Sequence, residues 1–163
     1  MYDILIQTPP HCNGLSNDVI GTTASVRGAA LLSDGRITGA TFRVNLTKVV
    51  VNGKPQPLFA RSLDTNVFLL AVITLTRPVV LTAEFAGGAA LQTTVTAMLT
   101  LQSVTHRATF PTSWRRNEAD LDAVGFIPIA FREWGIQGPQ GYGFIWSLAD
   151  HGVAEFLHVL RRG

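Results

Sequence analysis

The chain has 163 residues, 47% of them apolar and only 15% charged, with a net charge of +2. That length fits a single domain, residues 1–163, whose core needs no staples, and the apolar content excludes disorder. The near-neutral balance gives no footing for a nucleic-acid partner, and a lone cysteine, Cys12, excludes an internal disulfide.

Residues 2–7 read as a first strand, ended by Thr8, Pro9 and Pro10, and residues 11–18 as a polar loop. Residues 22–32 form a second strand. Asp34-Gly35 then marks a hairpin, because both residues accept the positive φ of a tight turn. Residues 37–51 read as a long third strand: Phe42, Val44 and Leu46 alternate with polar neighbours, so one face is oily and the other wet. Asn52-Gly53-Lys54-Pro55 breaks it. Residues 57–65 are the one helical candidate, with Pro57 in the first turn, Phe59 and Leu63 near one face, and Arg61 and Asp64 a turn apart.

Alternation resumes at residues 70–76, with Ala71, Ile73 and Leu75 on one side, and Gly87-Gly88 marks a turn. In residues 90–102 the apolar set is Val95, Ala97, Leu99 and Leu101. Residues 104–110 and 120–131 are further strands, carrying Phe110 and then Ile127, Ile129 and Phe131. Residues 134–142 form a loop rich in glycine, and residues 152–162 close the chain with apolar side chains on both faces. Eight antiparallel strands, one short helix and hairpin connections predict an all-β fold, an up-and-down barrel, although a sandwich has the same periodicity.

The longest apolar run, residues 67–75, falls well short of the roughly 20 residues that span a bilayer, so no integral membrane segment is expected. The first residues lack a basic region followed by an apolar stretch. The sequence as written is therefore expected in the cytoplasm, or in the cell envelope or outside the cell if its true start lies upstream. The histidines His11, His106, His151 and His158 have no metal-ligand spacing with one another or with Cys12. His106 falls on the apolar side of its strand and reads as a core or rim histidine. Asp120 and Asp122 share a strand face but read as solvated residues at a strand start. Nothing matches a nucleophile elbow or a phosphate loop. No catalytic residue, metal or cofactor is expected.

Four stretches, taken in order, resemble one family. They are residues 21–28, then Arg61-Ser62-Leu63-Asp64-Thr65 with Phe68 and residues 71–76, then Leu99-Thr100-Leu101-Gln102-Ser103-Val104-Thr105, and last residues 127–131 with Trp134-Gly135-Ile136 and Glu155-Phe156-Leu157. Together they make the chain similar to the YceI-like proteins, of actinobacterial type. Ser103 stands where the family's hairpin has glycine, Leu69 where it has proline, and Ile73 where it has an aromatic.

The resemblance implies a lipocalin-like barrel that binds a long apolar amphiphile, a polyisoprenoid or a fatty-acid-like lipid, in an internal channel. Its lining would be Phe42, Val44, Leu46, Ile73, Leu75, Val95, Leu99, Leu101, Phe110, Ile127, Ile129 and Phe131. Phe59 and Arg61 would stand on the helix over one mouth, where Arg61 could hold a charged head group. The alternative is the same barrel with a packed interior, acting as a structural or interaction protein. An early Trp-containing strand segment of the family has no counterpart before Tyr2. An edge left open there would expose backbone groups and favour a homodimer.

Overall fold

The computed structural model describes residues 4–7, 21–118, 120–136 and 151–161. The expected loop at 11–18, residues 2–3 of the first strand and the loop beyond residue 136 lie outside them. Eight longer strands are present: β1 (Ile4–Gln7), β3 (Val26–Ser33), β4 (Arg36–Asn45), β7 (Leu70–Leu75), β9 (Leu91–Leu101), β10 (Val104–Asn117), β11 (Asp120–Ala130) and β12 (His151–Leu160). Four strands of two residues each join them: β2 (Gly21–Thr22), β5 (Val50–Val51), β6 (Lys54–Pro55) and β8 (Val79–Val80).

All twelve belong to one antiparallel sheet in the order β3-β4-β7-β9-β10-β11-β12-β1-β2-β5-β6, with β8 on β4. The sheet is strongly curled into a half-barrel, so the lipocalin-like all-β expectation holds. The first and last long strands, β1 and β12, lie side by side, with Ile4 opposite Phe156. Among the described residues β3 and β12 share no ladder, and this leaves a seam between them.

Two local departures have physical causes. The expected strand at 37–51 breaks at Asn45. The Asn45 side chain accepts from the Thr47 backbone N–H at 3.0 Å and from the Thr47 hydroxyl at 2.6 Å, which favours the 3₁₀ turn Leu46–Lys48 over further strand. Besides the expected helix, seen as α1 (Pro57–Ser62), there is a second, α2 (Ala83–Ala86), capped by the Thr82 hydroxyl. A single turn carries too little periodicity to be read ahead.

Three hairpins use left-handed turn pairs: Asp34-Gly35, Asn52-Gly53 and Gln102-Ser103. The last does so without glycine, at φ 47° and 64°. Gln102 is tied down, since its Nε2 donates to the Ser62 carbonyl at 2.9 Å. Ser103 is exposed. Ser103→Gly is therefore expected to stabilise the protein by about 0.5–1 kcal/mol and raise its melting temperature by about 2 °C. A thermal melt that moves the other way would show no strain at this turn.

The inward faces follow the strand period. Val95, Ala97, Leu99 and Leu101 on β9 point in, as do Ala108, Phe110, Thr112 and Trp114 on β10. The β10–β11 ladder runs from Asn117/Asp120 only to Thr112/Gly125. Beyond that pair, β10 bonds to β9 alone and β11 to β12 alone. Pro111 stands at this fork. The 3₁₀ turn Phe131–Trp134 follows β11 and touches β10, β11 and β12. Its Trp134 is 2% exposed and donates from Nε1 to the Leu99 carbonyl at 3.3 Å. The ring of His106 meets Trp134 edge-on at 5.3 Å, and His106 Nε2 lies 2.7 Å from the Glu133 carbonyl. A carbonyl only accepts, so that nitrogen carries the proton.

Candidate functional site

Above the packed half, the wall is left thin by small inward residues. Ala30 on β3, Ala40 on β4, Ala97 on β9 and Ala123 on β11 all border a cavity of about 50 Å³. Phe42, Ile73, Leu75, Val95, Phe110 and Ile127 line it too. Its other walls are Ile37, Val79, Trp114, Phe156 and Leu160, with two polar residues, Thr112 and His158.

Two glycines seat the aromatics of this cavity. A Cβ on Gly28 would strike the Phe42 ring, and one on Gly125 would lie 2.7 Å from Cζ of Phe156. Each ring therefore lies over a bare stretch of neighbouring strand. Between the two rings sits His158, stacked on Phe42 at 4.4 Å and 8° and on Phe156 at 5.1 Å and 25°. Phe42 comes from β4 and His158 from β12. Side chains thus bridge the seam that carries no ladder among the described residues.

His158 is 6% exposed, and burial lowers its pKa from 6.5 to about 4. At neutral pH it is an uncharged ring, so no charged side chain lines the cavity. Thr112 is also buried, and its Oγ1 has no hydrogen-bond partner. The Trp114 Nε1, by contrast, donates to the Thr93 hydroxyl at 2.8 Å.

On the outer side of the same stack lies a second hollow of about 220 Å³. It is a groove along the seam between Val26-Arg27-Gly28 of β3 and His158-Val159-Leu160 of β12. Phe42, His158 and Leu160 border both spaces.

The remaining expected site residues stand elsewhere. Val44, Leu46, Leu99, Leu101 and Ile129 are buried in the packed half and do not line the cavity. Phe131 is half-buried at the head of the 3₁₀ turn, and Phe59 packs beside Val49 against Gly21. Arg61 is exposed on α1 and borders neither space. It makes no ion pair with Asp64, because the helix ends at Ser62 and Asp64 turns to φ 46°. Among the described residues no three His, Cys, Asp or Glu side chains gather as a metal site would need. His11 and Cys12 lie outside them.

No family model matches the chain, and no curated protein matches it. Solved structures do. One is BcnA of Burkholderia cenocepacia, 14% identical, with a TM-score of 0.72 over 97% of this chain and 95% of that one. Another is a polyisoprenoid-binding domain from Saccharophagus degradans implicated in plant cell wall breakdown. It is 14% identical, with a TM-score of 0.68 over 99% of this chain and 93% of that one. The chain has the YceI-like fold. At that identity the likeness is one of architecture. Among the described residues no helix is long and apolar enough to cross a membrane.

Proposed function

We propose that the protein binds the chain of an apolar amphiphile, polyisoprenoid or fatty-acid-like, in the half-barrel and does no covalent chemistry on it. The observation that carries the reading is an apolar cavity beside a groove, the two sharing Phe42, His158 and Leu160 as walls. A site of this kind, mostly apolar with few polar groups, is the usual small-molecule pocket. The Saccharophagus domain of the same fold is described as polyisoprenoid-binding, which supports the same class of guest.

Each buried methylene contributes about 0.8 kcal/mol, so affinity needs no directed bonds. The space at rest is small: an engineered apolar cavity of about 150 Å³ takes one benzene. A guest longer than a few carbons must therefore push Phe42 and His158 apart and run on into the groove.

Filling the cavity tests the reading. Ala97→Leu puts a larger side chain at a fully buried lining position. It is expected to weaken binding of farnesol or a fluorescent fatty acid about tenfold or more, while the circular-dichroism spectrum stays that of the parent. Unchanged binding would overturn the reading.

The packed lower half favours a second reading, an interaction protein on the same fold. Its surface would be β3, which ends the sheet and exposes Leu31 (69%) and Leu32 (62%). Native mass spectrometry separates the two. Co-purified lipid supports the first, and a lipid-free dimer the second.

A further inference from the structure

We infer that Arg27 and Arg43 together receive an anionic head group, a phosphate or carboxylate, on the amphiphile whose chain fills the cavity. The inference rests on the binding reading above and adds the chemistry of the polar end. Arg27 borders the seam groove, which shares Phe42, His158 and Leu160 with the cavity. Arg43 is its direct register partner on β4, and both side chains are exposed.

Like charges directly opposite on adjacent strands repel. Here no acid relieves them: among the described residues neither arginine has an ion pair, and the pair that does form joins Arg161 to Asp120 at 3.9 Å. Among the described residues the other groove wall brings His158, Val159 and Leu160. Opposite Val159 stands Asp122, which makes no ion pair with its register partner Arg115 and whose Oδ1 is buried without a hydrogen-bond partner. An anion held between two guanidinium forks removes the repulsion and accepts paired, charge-assisted hydrogen bonds. The layout has the order of an amphiphile, with an apolar hollow, a narrow waist at the Phe42–His158 stack, and then two cations outside. Arg61, the head-group candidate on the sequence, faces neither space.

The test compares farnesyl phosphate with farnesol, which carry the same chain, on the full protein. The parent is expected to bind the phosphate about tenfold or more tightly at low salt, with the preference shrinking as salt rises. Arg27→Gln with Arg43→Gln should bring the two affinities together. Both positions are exposed, so the variant should fold, and its circular-dichroism spectrum and melting temperature report that directly. A parent with no preference, or a double variant that keeps it, overturns the head-group site alone. Failure to bind either compound overturns the binding reading and this inference with it. Inorganic phosphate serves as the third arm. If it binds alone as tightly as farnesyl phosphate, the arginines serve a free ion and the lipid assignment falls.

Discussion

Acid is expected to cost the folded protein about 3 kcal/mol through His158 alone. Its pKa is 6.5 in the unfolded chain and about 4 in the fold, where burial penalises the charged ring. Below pH 6.5 the unfolded state takes up a proton that the folded state refuses until about pH 4. The unfolded state therefore binds more protons across that window, and stability falls as pH falls through it. Above pH 6.5 both states are neutral at this site and the full stability is present. The slope is up to about 1.4 kcal/mol per pH unit. Two aromatic faces on His158 work the other way, since a cation on a ring gains about 1–2 kcal/mol. Desolvation of a ring with 6% exposure outweighs that gain.

The measurement is urea unfolding at about pH 7.5 and about pH 4, on the parent and on His158→Phe. Phenylalanine keeps the stack with Phe42 and Phe156 and removes the titration. Carboxylates that titrate near pH 4 act alike in both proteins and cancel in the difference. Equal pH slopes in the two proteins would refute the assignment.

How far the sequence could be read depended on side-chain size and on proline. Strands β4, β7 and β9 were visible because period-two alternation survives in them, and β1, β3 and β12 because turn residues bound short apolar runs. The cavity was only half visible. Phe42, Ile73, Leu75, Val95, Phe110 and Ile127 were readable as large apolar residues on inward faces. Ala30, Ala40 and Ala123 were not, because a residue that makes room leaves almost no hydrophobic signal. Thr112 and Trp114 continue the even-numbered face of β10, but Pro111 reads as the end of a strand. It marks a fork in the sheet instead. His158 sits on a strand whose two faces are both apolar, so its direction could not be inferred from alternation. The split between a packed half and a hollow half depends on where Trp134 lands, and strand periodicity carries nothing about that.

The fork also yields the most damaging small substitution. Gly125→Ala adds one carbon, yet that carbon would stand 2.6 Å from the Pro111 carbonyl oxygen and 2.7 Å from Cζ of Phe156. Real Cβ contacts do not come so close, so something must move. The Pro111 oxygen is backbone within the β9–β10 ladder and cannot swing aside alone. The Phe156 ring is 9% exposed and meets Phe110 edge-on at 5.8 Å, with His158 stacked beyond it, so its retreat pushes on the cavity wall. Overpacking of this kind costs about 1–3 kcal/mol, and a clash with backbone puts Gly125→Ala near the top of that range, at about 3 kcal/mol. Gly39→Ala is the matched control. A Cβ there meets only Cδ1 of Leu31, at an ordinary 3.7 Å, and the expected change is about 0.5 kcal/mol or less. Urea midpoints of the two variants decide the matter, and a Gly125→Ala protein as stable as Gly39→Ala would mean that the strands part more freely than their geometry implies. Because Phe156 is also a wall of the cavity, the same variant should bind farnesol more weakly than its control, which ties the sheet's fork to the space it leaves open.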